Sequence, residues 1–408
     1  MRILFIHDFY QNFGGEDAVA LSEMRLLQDH GEEVITYTRH NHEIREYRLW
    51  QKVALPGEAI YSRRTRTELS ELVEKRRPDV AYIHNFFPLI SPSVYSALKS
   101  LGVPSVQVVH DFRMLCPNGV FYTEGQVCER CKHGNFLHAV RHRCYRDSYL
   151  ASAVASSAIG LHRIAGGLDK IDGYICLTEF TRQKLLEVGV ASEKIFLKPN
   201  FIDAIQVSPR PGGGDYALFL GRLSPEKGLW TLIRAFERLP DLPLKIAGTG
   251  PLEDDLRLYL SMRKPHNIEL VGFKSGPEKW ELLRGSVFVV VPSEWYETFC
   301  LVVLEAYAAG KAVLASRLGS LPYVVEQGKT GLLFEAGNAS DLAAKAGEMM
   351  RRPQELELMG GYGRQLAENR FGPEQNYRVL MDIFSRISVR VPKTLPLAQL
   401  VEPDGTPK

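Results

Sequence analysis

The sequence predicts an α/β protein with two doubly wound, Rossmann-like domains and a cleft between them. Three observations lead to this prediction. The chain has 408 residues, which is too long for one hydrophobic core and suits two domains. Short apolar segments alternate with amphipathic segments along almost its whole length. A stretch rich in proline and glycine, VSPRPGGGDY at 207–216, interrupts the alternation and is typical of a linker.

The first half opens with a predicted strand, RILFIHD, followed by a glycine-containing loop and a helix that ends at Gly31. Further predicted strands are EEVITYT, DVAYIH (79–84), PSVQVVH (104–110), GYICLT (173–178) and KIFLKPN (194–200). Nearly continuous apolar strands separated by helices are typical of a parallel sheet that is covered on both faces.

The second half repeats this pattern, with helical segments such as 228–238 and 338–350. Its predicted strands are YALFLG (216–221), LPLKIAG (242–248), NIELVG (267–272), SVFVVVP (286–292), KAVLAS (311–316) and GLLFE (331–335). We therefore divide the chain into an N-terminal domain (1–206), a C-terminal domain (215–370), a helix (371–389) expected to pack back on the N-terminal domain, and a loosely ordered tail (390–408). Ligands of such sheets bind beyond the carboxyl ends of the strands, so the cleft is the expected active site.

Composition excludes several classes of protein. A formal net charge of +2, with 24% charged and 45% hydrophobic residues, argues against disorder and against a nucleic-acid-binding protein. The N-terminus lacks the apolar core and cleavage site of a signal peptide. No segment approaches the roughly 18 apolar residues of a membrane span. We therefore expect a cytoplasmic protein whose six cysteines are reduced thiols or metal ligands.

Charged and glycine residues follow several strands. In LGRLSPEKG (220–228), Arg222 and Lys227 precede a helix that Gly228 opens, and two cations beside a helix N-terminus favour a diphosphate. By themselves, these two residues could also be ordinary surface charges on a solvated loop. Gly248 and Gly250 of AGTGP could let the backbone approach a ligand closely, although such turns are common.

The segment PSEWYETFCLVVLEAYAAG (292–310) places Glu297 and Glu305 eight residues apart. Thr298 is the expected N-cap of a buried helix that ends at Gly310. The carboxylates would then lie roughly 12 Å apart at 1.5 Å per residue, which suits two hydroxyl-bearing parts of one extended ligand. The backbone N–H groups of Phe299, Cys300 and Leu301 would face negative charge between them. The alternative is one glutamate favoured by the helix dipole and an unrelated ion-paired one.

Together, and in this order, these features resemble the retaining glycosyltransferases of family 4, which have the GT-B fold. The features are a glycine pair after the first strand, R-x4-K, G-x-G-P and E-x7-E. The resemblance covers most of the chain. It implies an enzyme that uses a nucleoside-diphosphate sugar as donor, and we expect a UDP- or GDP-sugar.

The resemblance also implies roles for individual residues. Arg222 and Lys227 would hold the donor diphosphate, Glu305 the ribose and Glu297 the hydroxyls of the donor sugar. The other residues implied to line the donor site are Gly14 and Gly15 near the phosphates, Val271 to Phe273 beside the base, His110 near the sugar, and Asn200 facing the cleft. No divalent cation or other cofactor is implied for catalysis, since protein cations replace it. One departure is that the usual E-G-F-G-L reads E-T-F-C-L here, with Thr298 and Cys300 in place of glycines.

An insert at 115–145 contains four of the six cysteines: Cys116, Cys128, Cys131 and Cys144. This set could form a structural zinc site, with His133, His138 and His142 as alternative ligands. Reduced thiols that pack the insert, or a redox pair, are the other interpretations.

Basic residues are concentrated in the N-terminal half. Residues 130–146 contain five Arg or Lys and no acidic residue, and residues 39–77 contain ten basic and six acidic residues. This could favour peripheral contact with an anionic membrane, or it could be a solvated basic face. The family resemblance implies transfer of a sugar to a glycan or lipid-linked acceptor, and we expect a role in cell-surface polysaccharide or glycolipid synthesis. The alternatives are a nucleotide-sugar epimerase of the same fold and a non-catalytic scaffold that uses the insert.

Overall fold

The structure, a computed structural model, describes residues 1–211 and 213–390. Its core consists of two six-stranded parallel sheets, one in each half of the chain, with helices on both faces. This confirms the predicted α/β fold with two doubly wound domains. Of the tail predicted at 390–408, all but the first residue lies outside the described part of the chain.

The N-terminal sheet has the strand order β2-β1-β3-β4-β7-β8, and a two-stranded antiparallel hairpin, β5-β6, lies in the cysteine insert. The register is parallel throughout the sheet, with Ile3 opposite Val34 on one side and Val80 on the other. Its strands, with those of the hairpin, are β1 (Arg2–Phe9), β2 (Glu33–His40), β3 (Val80–Ile83), β4 (Ser105–Val109), β5 (Tyr122–Thr123), β6 (Gln126–Val127), β7 (Gly173–Cys176) and β8 (Ile195–Leu197).

Some helices of this half start at polar caps, and the first is followed by a glycine with positive φ. Ser148 and Thr178 cap two of them by accepting hydrogen bonds from the N–H groups of Ala151 (3.3 Å) and Thr181 (3.4 Å), and Gly31, with φ of 81°, follows the end of the first. The helices are α1 (Gly15–Asp29), α2 (Glu43–Glu46), α3 (Leu49–Ile60), α4 (Arg63–Arg76), α5 (Ser93–Ser100), α6 (Leu137–Arg141), α7 (Tyr149–Ile164) and α8 (Glu179–Leu186).

The C-terminal sheet has the strand order β11-β10-β9-β12-β13-β14. Its strands are β9 (Tyr216–Leu220), β10 (Leu244–Ala247), β11 (Ile268–Gly272), β12 (Ser286–Val291), β13 (Ala312–Ser316) and β14 (Gly331–Phe334). Its helices are α9 (Leu229–Phe236), α10 (Glu253–Arg263), α11 (Gly276–Gly285), α12 (Leu301–Ala308), α13 (Leu321–Val324), α14 (Ala339–Met350) and α15 (Pro353–Asn369). In both halves the sheet reverses its strand order beside the first strand, which places a crevice at that edge.

The last helix, α16 (Pro373–Arg390), leaves the C-terminal domain and packs on the N-terminal one. The Tyr377 hydroxyl donates to Glu32 Oε1 at 2.7 Å, and Phe384 packs edge-on against Tyr82 with ring centroids 5.1 Å apart. Helix α16 therefore contributes to the N-terminal core although it is the last element of the chain.

A buried ion pair fixes this helix in place. Glu23 and Lys198 are both fully buried and bonded to each other, and Lys198 Nζ also donates to Asn376 Oδ1 at 3.2 Å. The Tyr82 hydroxyl donates to the same carboxylate. Removing one partner of a buried pair costs about 3–5 kcal/mol because the other charge is left unpaired, so this network holds α1, α16 and the end of β8 together.

Within the described residues, no helix is long and apolar enough to cross a membrane.

Candidate active site

The candidate site lies where the carboxyl ends of the two sheets face each other. On the C-terminal side it comprises the segments after β9, β10 and β12, and on the N-terminal side the segments after β1 and β4. Because carboxyl ends of parallel strands meet at one edge of a sheet, residues far apart in the chain come together here.

The centre of the C-terminal side is an ion pair between Lys227 and Glu297. Lys227 Nζ donates to Glu297 Oε1 at 2.7 Å, and Ser293 Oγ (2.7 Å) and Trp295 Nε1 (2.9 Å) donate to the same oxygen. Burial opposes ionisation of both groups, but their mutual attraction prevails: the pKa of Lys227 is raised and that of Glu297 is lowered. No donor from the described residues reaches Oε2 of Glu297, which leaves that oxygen for a ligand hydroxyl.

Arg222 is the unpaired cation of the site. Its side chain is exposed and makes no ion pair or hydrogen bond with any described residue. Lys227, five residues later, is already neutralised by Glu297. Arg222 therefore supplies the uncompensated positive charge that an anionic ligand requires.

Glycines let the loops of the site pack backbone against backbone. A Cβ on Gly228, whose φ is 70°, would lie 1.9 Å from the Pro292 carbonyl oxygen, and one on Gly248 would lie 1.8 Å from that of Gly221. A Cβ on Gly250 would lie 2.4 Å from the Leu223 carbonyl oxygen. The sequence assigned Gly248 and Gly250 to close approach of a ligand; in the structure they make room for the loop that contains Arg222.

Two helix N-termini meet across the cleft. A Cβ on Gly15, the first residue of α1, would lie 3.5 Å from Cδ1 of Leu301, the first residue of α12. Gly14 caps α1, and its N–H donates to Asp17 Oδ2 at 3.0 Å. Phe299 and Cys300 are buried just before α12, and burial raises the pKa of the Cys300 thiol to about 12. The positive ends of two helix dipoles thus face each other across the cleft.

Glu305 lies inside α12 and pairs with Lys279 Nζ at 2.7 Å. Both side chains remain partly exposed, at 19% and 24%. The two predicted glutamates are therefore each held by a lysine from a different element of the C-terminal domain.

The prediction that Thr298 caps a helix is wrong. Helix α12 begins three residues later, and Cys300 occupies the N-cap position without a side-chain cap. The Thr298 hydroxyl instead donates across the cleft to the His110 carbonyl at 2.6 Å. Its own carbonyl accepts from the Thr178 hydroxyl at 3.3 Å, and Thr178 also contacts Ser320 Oγ at 2.6 Å. Residue 298 therefore joins the two domains.

His110 belongs to a stacked histidine pair. Its Nε2 lies 2.9 Å from Nδ1 of His84, and the ring centroids are 5.0 Å apart. Burial is the main cause that holds the pKa of both rings well below the usual value. Both imidazoles are therefore neutral at pH 7, so His110 can offer a hydrogen bond to a sugar without adding charge.

The remaining predicted donor-site residues are Val271, Phe273 and Asn200. Val271 packs partly buried near the end of β11, whereas Phe273, just after it, is 68% exposed. An exposed aromatic ring beside Gly248 is suited to stack on a base. Asn200 is buried, and its Oδ1 lacks a hydrogen-bond partner among the described residues.

A polar cluster beside His110 was missed by the sequence analysis. The Tyr10 hydroxyl donates to Glu16 Oε2 at 2.7 Å, and Arg113 pairs with Asp111 at 3.2 Å. Glu16, Asp111, Arg113 and His110 line one small cavity, and burial, followed by the charge of Asp111, raises the pKa of Glu16. The sequence could have pointed to two of these residues, because Glu16 directly follows the glycine pair and Asp111 directly follows His110.

The four cysteines of the insert come together around another cavity beside β5 and β6. All are free thiols.

Two family models match the chain in succession. One, described as Glycosyltransferase Family 4, matches residues 13–205, and the other, Glycosyl transferases group 1, matches residues 200–366.

The chain belongs to the family 4 glycosyltransferases.

Relatives and solved structures agree with this family. The chain is 30% identical over 197 residues to an uncharacterised glycosyltransferase of Methanocaldococcus jannaschii, covering 48% of this chain and 55% of that protein. It is 28% identical over 369 residues to a sulfoquinovosyl transferase of Arabidopsis thaliana, covering 85% and 65%. It thus spans between about half and two thirds of these curated relatives. The crystal structure of Anabaena HepE in complex with UDP superposes with a TM-score of 0.66 at 18% identity, covering 95% of this chain and 100% of that one.

The family and the GT-B fold predicted from the sequence are therefore confirmed. The roles assigned to individual residues of this glycosyltransferase stay predictions.

Thr298→Val tests the bond that joins the domains. Valine keeps the shape but removes the donor to the His110 carbonyl, a loss of about 1 kcal/mol or more. We expect the melting temperature of the glycosyltransferase to fall by about 2–4 °C and its radius of gyration to rise as the cleft opens. Differential scanning calorimetry and small-angle X-ray scattering measure these quantities. Thr67→Val is the control, because that exposed hydroxyl bonds only within its own helix. Equal values for the two variants would show that Thr298 does not hold the domains together.

Proposed function

We propose that the protein is a retaining glycosyltransferase that moves a sugar from a UDP- or GDP-sugar to a hydroxyl of a glycan or lipid-linked acceptor. The observation that most supports this proposal is Arg222, exposed and unpaired beside the buried Lys227–Glu297 pair. The proposal places the enzyme in cell-surface polysaccharide or glycolipid assembly, at the cytoplasmic side of the membrane.

The donor site follows from charge and shape. Arg222 binds the diphosphate through its planar guanidinium, which can donate two parallel hydrogen bonds. Lys227 and the N-termini of α1 and α12 add partial positive charge without a metal ion. Glu305 accepts from the ribose hydroxyls, and Phe273 stacks on the base. Glu297 offers Oε2 to a hydroxyl of the sugar while Oε1 stays bound to Lys227.

In the reaction, the bond between the anomeric carbon and the β-phosphate oxygen breaks, and negative charge grows on the leaving diphosphate. Arg222 and Lys227 stabilise that charge, an interaction that is stronger in the transition state than in the ground state. The acceptor hydroxyl attacks from the same face and passes its proton to the leaving phosphate oxygen, which retains the anomeric configuration. His110, neutral because burial lowers its pKa, positions the sugar and is not the acid.

The donor class has independent support. The protein HepE of Anabaena has the same fold and was solved with UDP and with UDP-glucose. A nucleotide-sugar epimerase acts on the nucleotide sugar alone, so it would need no residues that bind an acceptor. Here the polar cluster of Glu16, Asp111 and Arg113 stands beside His110 on the N-terminal domain, where an acceptor hydroxyl would enter.

Exposed apolar side chains support a lipid-linked acceptor at a membrane. Helix α3 exposes Leu49 (80%), Trp50 (66%) and Val53 (73%), and α7, which packs on it, exposes Leu161 (56%) and Ile164 (86%). Residues 39–77, which include α3, carry the basic excess. Apolar side chains flanked by cations are the features with which peripheral proteins bind anionic bilayers.

Activity is tested by incubating the protein with UDP- and GDP-sugars and with lipid and glycan fractions as acceptors. The expected result is acceptor-dependent release of one nucleoside diphosphate. The proton NMR coupling of the product should show the anomeric configuration of the donor. An inverted product would contradict retention, and isomerised donor without acceptor would favour the epimerase.

Membrane contact is tested by co-sedimentation with vesicles of phosphatidylglycerol or phosphatidylcholine. We expect binding to the anionic vesicles alone, and its loss in a Leu49→Ser, Trp50→Ser double variant, because the apolar contact is removed. Leu258→Ser is the control, since Leu258 is exposed (56%) on α10 of the other domain. If the native protein does not sediment with anionic vesicles, this surface is not a membrane contact.

A further inference from the structure

The cysteine insert gathers four thiols that are spread over the sequence. Cys116, Cys128, Cys131 and Cys144 line a single cavity of about 10 Å³, which is room for about one water-sized particle. The hairpin β5-β6 and helix α6 bring them together. None of them forms a disulfide, so four free thiols line this cavity together with other side chains.

Two of the cysteines lie at the start of matching tight turns. In C-P-N-G the Gly119 N–H donates to the Cys116 carbonyl at 2.8 Å, and in C-K-H-G the Gly134 N–H donates to the Cys131 carbonyl at 2.9 Å. Both glycines have positive φ, 82° and 101°, which the turns require.

Two of the thiols are hydrogen-bonded to neighbouring side chains. Cys116 Sγ donates to Asn118 Oδ1 at 2.9 Å and Cys144 Sγ donates to Thr123 Oγ1 at 3.6 Å. Within residues 1–211 and 213–390 no three His, Cys, Asp or Glu side chains stand at coordinating geometry. A bound metal ion would replace these two hydrogen bonds, and both sulfurs would turn into the cavity.

The histidines are less suited than the cysteines as ligands. His142 uses both ring nitrogens, with Nδ1 2.8 Å from Glu124 and Nε2 3.0 Å from Arg130. His133 is exposed and does not line the cavity. His138 lines it, but its Nε2 contacts Asn135 at 3.3 Å. Four cysteines alone complete a tetrahedral shell.

We propose that Cys116, Cys128, Cys131 and Cys144 bind one Zn²⁺ ion in a closed, tetrahedral site. Binding releases the four thiol protons to solvent and leaves four Zn–S bonds of about 2.3 Å. With four protein ligands the ion has no open position, so its role is structural and no substrate binds it.

The position of the insert shows what the ion would stabilise. The Gly119 carbonyl accepts from the Phe112 N–H at 2.8 Å, and Arg113 Nη1 donates to the Pro117 carbonyl at 3.2 Å. Glu129, next to Cys128, pairs with Lys184 at 2.8 Å, and Lys184 Nζ lies 5.4 Å from the ring centroid of Tyr296, the neighbour of Glu297. The zinc site would therefore fix the wall of the cleft around Asp111 and Arg113.

Metal content tests this proposal directly. Protein purified from zinc-supplemented culture and dialysed against metal-free buffer should contain about one zinc ion per chain by mass spectrometry. Cobalt substitution should give the thiolate charge-transfer and d–d absorption of a tetrahedral sulfur site. Serine variants of each of the four cysteines should lose most of the metal. Cys176→Ala, in the core of β7, and His142→Ala should keep it.

A second measurement needs no variant and separates the outcomes. A strong zinc chelator should lower the melting temperature of the native protein, and Zn²⁺ but not Mg²⁺ should restore it. Zinc-free native protein that gains no metal on reconstitution would overturn the proposal. Two disulfides in the intact mass under non-reducing conditions would also overturn it.

Discussion

The ion pair between Lys227 and Glu297 is the interaction on which the candidate site depends. It joins the segment after β9 to the segment after β12 at 2.7 Å, and both groups are largely buried. Burying charge costs several kcal/mol per ion unless the pair is complete and further hydrogen-bonded. Ser293 and Trp295 supply those additional bonds. Glu297 pairs with Lys227. Arg222 has no carboxylate partner among the described residues, so it is available to an anionic ligand.

The same region is strengthened by packing of the main chain. Gly228 presses against the Pro292 carbonyl, and the Glu294 N–H donates to the Glu226 carbonyl at 2.8 Å. The Thr231 hydroxyl donates to Glu294 Oε1 at 2.6 Å. Each contact links the same two segments, so the ion pair is held in a preorganised frame. By contrast, the bonds of Thr298 and Thr178 across the cleft are few and are worth about 1 kcal/mol each.

Much of the fold could be predicted because its strands are short apolar runs with clear ends. The predicted strand SVFVVVP (286–292) and the predicted helical segment 228–238 correspond closely to β12 and α9. The start of α12 could not be predicted from local preference. Threonine favours N-caps, but Thr298 bonds to a carbonyl 188 residues away, a partner that only the folded chain reveals. The sequence also could not show that Gly248 and Gly250 pack against the loop that contains Arg222, and their approach to a ligand stays a prediction. The cavity of the four cysteines depends on a hairpin too short to leave a periodic pattern.

The measurement that most directly tests the account is calorimetric titration of the protein with UDP, GDP and ADP, beside Arg222→Ala and Arg234→Ala variants. Arg234 is also exposed, but it lies on α9 away from the strand ends. We predict that one nucleotide binds and that Arg222→Ala weakens it about ten- to a hundred-fold, the value of a lost charge-assisted hydrogen bond of about 1.5–3 kcal/mol. Arg234→Ala should bind as the native protein does. Equal affinity in all three proteins would contradict the assignment of the donor site to Arg222 and its neighbours.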